Sequence, residues 1–241
     1  MSPQSPQASY TITYRSTWKF LSRTGALLFA IGLLVVIASK GFDHPRLMGL
    51  VTLFDPDLEY NFPSLFRVFV WLFSGLLLRA IALDAWRKTH ALRIPWSVLS
   101  WGILYMAVDD GFAIHENLMP PLARILPESV RSGPFHFAWV IPGLMVILWA
   151  GIYFRRFLFE LPKPYGIRFF VSGVVFLSGS VGMEMIDGCY AGHHGMDNLP
   201  YGLQTWFEEA LELTGALLLV RTLLLYLNEY LPDIQVRFRE R

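Results

Sequence analysis

Asp109, Asp110, Glu116, Glu184, Asp187, Glu208, Glu209 and Glu212 lie within or at the ends of strongly apolar stretches of this chain. Carboxylates so placed can ligate a divalent metal, relay protons or neutralise a buried cation. A carboxylate in hydrocarbon costs roughly 2.5–3.5 kcal/mol even on the lenient insertion scale, so eight unpaired would cost on the order of 20 kcal/mol. A whole domain is stable by only about 5–15 kcal/mol. Countercharge, protonation or a wet cavity must therefore accompany these acids.

Their spacing is helical. At about 100° per residue, Asp109 and Glu116 project about 20° apart on a continuous helix, with His115 flanking that face. Glu184 and Asp187 are three residues apart, and Glu208 and Glu209 lie four and three residues before Glu212, so each set can reach one partner. The segments read DDGFAIHE, EMID and FEEALE. Bundle proteins with two metal ions use the same device, projecting carboxylates and Glu-x-x-His pairs inward from facing helices; no strict Glu-x-x-His occurs here. Oxygen and imidazole donors without thiolate favour iron or manganese, then zinc, with calcium last. The expected ligands to one or two divalent ions are Asp109, His115, Glu116, Glu184, Asp187, Glu208 and Glu212. Asp110, Glu209, His136, His193 and His194 are expected behind them or as proton shuttles, the two last in the Gly-rich loop AGHHGMDN. His44 and His90 read as solvated.

The competing reading has the acids hydrated, or paired with Arg67, Arg124 or Arg131. Arg67 is the one basic side chain within a span positioned to reach them. Arg79 and Arg221 fall in the opposite halves of their spans, and no lysine is expected in the outer half of any span. One arginine against eight acids leaves a shortfall that favours a metal.

The elements that must position these groups follow from composition. Of 241 residues, 54% are hydrophobic and 16% charged, against about 25% charged in a soluble domain. The expected fold is all-α: one integral-membrane helical bundle over 1–241, with six spans at about 20–39, 65–85, 98–118, 137–154, 169–190 and 203–227. Pro120 and Pro121 are expected to end the third. The small residues Ser178, Gly179, Ser180 and Gly182 are expected to allow close helix approach, Gly111 offers a point of distortion, and LMGLVTLF reads as a short helix covering the site.

Basic residues set the topology. Arg15, Lys19 and Arg23, then Arg87, Lys88 and Arg93, then Arg155, Arg156, Lys163 and Arg168, and last Arg237, Arg239 and Arg241 alternate with linkers poorer in base. Both termini are thus expected in the cytoplasm, with Trp18, Trp86, Trp96, Trp139 and Trp206 in the interfacial belts. In that orientation three helices deliver their acids to one depth near the outer leaflet.

Met1–Gln7 lacks the pattern of a cleaved signal peptide, and the single Cys189 excludes an intrachain disulfide framework. There is no basic face for nucleic acid. The expected protein is a metalloenzyme of a bacterial plasma membrane that oxidises or hydrolyses a lipid or other apolar substrate. The alternatives are a sensor or relay of protons or divalent cations, and an accessory subunit of a larger membrane complex.

Overall fold

Side-chain caps fix where three of the long helices begin. Thr13, Asn61 and Asn198 each accept a hydrogen bond from the backbone N–H three residues on, at 3.4, 3.0 and 3.0 Å. At Asn61 the bond is reciprocated, because Ser64 Oγ accepts from the Asn61 N–H at 2.9 Å, and Pro63 follows the cap. Both features satisfy or remove backbone donors that a helix start leaves unpaired.

The computed structural model describes residues 13–231, apart from 43, 45, 129, 131 and 132. Met1–Gln7, Arg131, Arg237, Arg239 and Arg241 lie outside the described residues. The helices are α1 (Tyr14–Val36), prolonged by a π-helical turn over Ile37–Gly41, α2 (Leu50–Phe54), α3 (Phe62–Arg87), α4 (Arg93–Phe112), α5 (Ile114–Asn117) and α6 (Met119–Ile125). They continue with α7 (Val140–Glu160), α8 (Lys163–Leu177), a second π-helical segment over Ser178–Met183, α9 (Glu184–His194) and α10 (Leu199–Tyr230). No strand occurs among the described residues.

Five helical stretches are long and apolar enough to cross a membrane: Tyr14–Gly41, Phe62–Arg87, Val140–Glu160, Lys163–His194 and Leu199–Tyr230. A sixth forms if Arg93–Phe112 and Ile114–Leu122, bent by 66°, count as one span. That bend departs from the continuous third helix expected over 98–118. Ala113, not Gly111, absorbs it with a left-handed backbone at φ 47°, a conformation costing an L-residue roughly 1–2 kcal/mol. Pro120 and Pro121 begin α6 instead of ending a span.

Contacts between helix ends show the up-and-down arrangement. At one end, Trp96 from α4 packs edge-on against Phe157 of α7 and Phe169 of α8, and also against Tyr226 of α10. Trp96 is only 1% exposed, so it belongs to the core and not to an interfacial belt. Both described chain ends lie on this side, where Arg221 stacks over Trp18. At the other end the linker between α1 and α3 folds back: a Cβ at Gly32 of α1 would stand 2.9 Å from Phe54 O, a close approach that only glycine leaves open. The short α2 predicted from LMGLVTLF is seated there.

Removing the shared wall of four helices should be severe. Trp96→Ala is expected to lower stability by about 3–5 kcal/mol, read as a fall in the thermal unfolding midpoint of the purified protein.

Candidate functional site

Arg67 lies one turn into α3, on the face that also buries Ser64, Trp71 and Ser74. It is 4% exposed. Both its Nε and Nη2 stand 2.7 Å from Asp110 Oδ1 at the end of α4. Its Nη1 meets Glu209 of α10, Glu212 Oε2 is 3.8 Å away and Glu59 Oε1 3.6 Å. One guanidinium thus holds carboxylates from α3's own leader, α4 and α10, a use of several donors for which arginine is suited, while Asp110 Oδ2 has no hydrogen-bond partner among the described residues.

These pairings correct part of the expectation from sequence. Asp110 and Glu209, expected behind the ligands, are direct partners of the buried cation, and Glu212, expected as a ligand, is drawn to the same group. Glu59 reads in the sequence only as linker charge. A second cation is also present: Lys40 ends the α1 stretch and lies over the Tyr201 ring at 5.5 Å. The expectation of no lysine at this end of the helices therefore fails, because the π-helical turn carries α1 to Gly41.

Asp109 turns to His115. Its Oδ2 is 2.8 Å from the imidazole Nδ1, and its Oδ1 accepts from the His115 N–H at 3.1 Å. The side chain thereby caps α5 across the bend at Ala113. Because the helix breaks there, Asp109 and Glu116 do not share a face. Glu116 is exposed, with no hydrogen bond or ion pair among the described residues.

Glu184, Asp187 and Glu208 form a separate group without arginine, lysine or histidine bonded to it among the described residues. Glu208 lies near both other carboxyls, and no hydrogen bond joins it to Asp187. Trp139 Nε1 donates to Glu184 Oε1 at 2.9 Å, and its ring lies 5.1 Å from that of His115. Asp187 is 1% exposed, and neither oxygen receives an N–H or O–H donor from elsewhere in the described residues. What faces it is the Glu208 carboxyl, so the two need a shared proton or a cation between them. The Gln204 amide oxygen, one turn before Glu208, is also buried without a donor. Tyr201, buried nearby on α10, completes the surroundings.

The backbone explains the convergence. At Gly179 a Cβ would stand 2.7 Å from Glu208 O and 3.0 Å from Glu212 N. The small-residue stretch lets the π-helical segment lie directly on α10, immediately before Glu184. Such turns add a residue to the helix and shift the phase of every residue after them, and they are frequent at functional sites.

The remaining histidines stand apart. His193 and His194 are the exposed last residues of α9, not loop residues, and His194 stacks on Tyr190 at 4.5 Å. His136 packs over Gly188. Trp206, expected at an interface, donates to Phe29 O at 2.9 Å and ties α10 to α1. Among the described residues, no group of three or more His, Cys, Asp or Glu is arranged to hold a metal ion.

Residues 25–227 match the family described as a domain of unknown function, DUF8692. The chain belongs to that family. No curated protein and no solved structure matches the chain. The matched segment contains every acid described above.

Over the site, Asp55 is buried in the linker between α2 and α3, where it accepts from the Asp57 N–H at 3.2 Å. Burial pushes its carboxyl above the usual range, against the pull of that N–H and of Lys40. Burial also raises Asp57, with Asp55, Glu116 and Glu184 adding to the effect and Lys40 opposing it; solvent reaches one side of Asp57, which tempers this.

Two mutational outcomes are expected. Arg67→Met should destabilise by about 3–5 kcal/mol, since it strands buried carboxylates, and adding Asp110→Asn with Glu209→Gln should recover part of the loss in thermal unfolding. For Asp55, a raised pKa means that the ionised form disfavours the folded state. The penalty is complete above that raised pKa and absent below the ordinary aspartate value. Asp55→Asn should therefore raise the unfolding midpoint at neutral pH, and its advantage over wild type should vanish on acidification.

Proposed function

We propose that this chain is a membrane-embedded metalloprotein whose Glu184, Asp187 and Glu208 carboxyls bind a divalent cation. The observation that carries the reading is Asp187, buried with two donorless oxygens against a second carboxyl. Arg67 does not meet that demand, because its donors are directed to Asp110 and Glu209, with Glu59 and Glu212 flanking them. A bound cation would supply the positive charge that the three acids lack, in competition with protons, as metal binding to carboxylates generally is.

His115 supports the same reading. Asp109 holds its Nδ1, leaving Nε2 for a ligand, which is the carboxylate–histidine–metal arrangement seen around many metal centres. Oxygen donors joined by an imidazole would suit manganese or iron before zinc, and an all-oxygen set would admit calcium. The metal would activate water or dioxygen for reaction with a lipid or other apolar molecule. The site would face the outer leaflet of a bacterial plasma membrane, following the basic residues at the opposite end of the bundle.

A second reading, a proton relay, is favoured by the grouping of Glu208 with two other acids. Elemental mass spectrometry of the full chain, purified without a histidine tag, separates the two. The metal reading expects about one to two equivalents of manganese, iron or zinc, lost in Asp187→Asn and Glu208→Gln while folding is kept. No stoichiometric metal, even after reconstitution, would overturn it. An infrared band of protonated carboxyls lost in the same variants would then establish the relay.

A further inference from the structure

We infer that a groove between α7 and α8 binds an acyl chain of an anionic lipid, with the headgroup at the turn joining the two helices. This inference rests on the bundle being membrane-embedded and is independent of the cation site.

The groove arises from how α7 is held. Along its 21 residues only Val140 and Phe157, near its two ends, are buried. Between them the helix stands away from the bundle. The space left has a volume of about 960 Å³ and is lined by Ile147 and Gly151 of α7, Phe170 and Gly173 of α8, Ile103 of α4 and Trp71 of α3. That is the upper end of the roughly 300–1,000 Å³ typical of ligand pockets. Its walls are nearly all hydrocarbon, and it is open along one side.

Charge at one end identifies the occupant. Arg155 and Lys163 line the groove on either side of the turn at Leu161 and Pro162. The neighbouring Arg156 is committed to Glu160 at 2.5 Å, whereas Arg155 and Lys163 have no carboxylate partner among the described residues. Two unpaired cations at the mouth of an apolar slot fit a phosphodiester above an acyl chain. In a zwitterionic lipid the headgroup ammonium already offsets the phosphodiester, and an apolar helix carries no charge at all.

Two glycines give a direct test. A Cβ at Gly151 or at Gly173 would meet nothing within 4 Å, so a larger side chain at either position fills the groove without displacing packed neighbours. The delipidated full chain would be titrated with phosphatidylglycerol and, separately, with phosphatidylcholine of the same acyl chains, and bound lipid counted by native mass spectrometry. Phosphatidylglycerol should be favoured on the order of tenfold, as two basic groups near an anionic headgroup would supply.

Gly173→Phe and Gly151→Phe should each reduce its uptake to a comparable extent. Because they occupy opposite walls, either one suffices if the other fails to fold. Arg155→Gln with Lys163→Gln should bind both lipids equally. Equal retention of the two lipids by wild type, or unchanged uptake in the folded glycine variants, would overturn the inference. So would a dimer that excludes lipid, since a helix from a second copy would then occupy the groove. Metal content is read separately on the same samples, so loss of the cation site and loss of lipid binding are distinguishable.

Discussion

A guanidinium withdrawn from solvent must be met by carboxylates, and Arg67 imposes that condition on three parts of the chain at once. Its position near the start of α3 requires the end of α4 to present Asp110 and α10 to present Glu209 and Glu212. The linker must also turn back far enough to bring Glu59 within 3.6 Å. Exposed ion pairs contribute little. A buried network of this kind specifies an arrangement more than it adds stability, because each partner removed leaves an uncompensated charge. The register of α3 against α4 and α10 is tied to this one side chain.

Once Arg67 is satisfied, the remaining acids divide by the backbone that carries them. The bend at Ala113 breaks what would have been a single acidic face and gives Asp109 to His115. The π-helical segment over Ser178–Met183 brings Glu184 and Asp187 toward Glu208, and Gly179 permits the backbone contact this needs. Both irregularities lie within two residues of a polar group that they orient. Strain at such positions persists where the surroundings over-determine it, and here the hydrogen bonds of His115 to Asp109 supply that constraint.

The two ends of the bundle are built on different physics. The end bearing the chain termini is aromatic, with Trp96, Phe157, Phe169 and Tyr226 interlocked through tilted and edge-on ring contacts. The other is polar, with Arg67 meeting acids from several segments, while Glu184, Asp187 and Glu208 have no cation bonded to them among the described residues. α7 belongs fully to neither: it is fixed near its ends, by Trp139 to Glu184 and by Phe157 to Trp96, and its middle is left unpacked. The absence of close packing along that stretch is what creates the groove.

Composition and periodicity were enough to determine the all-α class and the number of long apolar helices to within the bent third one. Helix length and apolarity are local properties, and a carboxyl in an apolar run is conspicuous wherever it sits. The close approach at Gly179 was legible for the same reason, since a run of small residues has few other uses. Local sequence could not show that Glu116 is exposed and unpaired among the described residues, because the chain bends at Ala113 and not at the neighbouring Gly111. Nor could it show that Glu59, in a linker, belongs to the Arg67 network, or that Lys40 reaches Tyr201. Those depend on how the linker folds over α1 and where a π-helical turn re-phases a helix. Which acid meets arginine and which meets another acid is a matter of distances between helices far apart in the chain, and only the tertiary packing sets those distances.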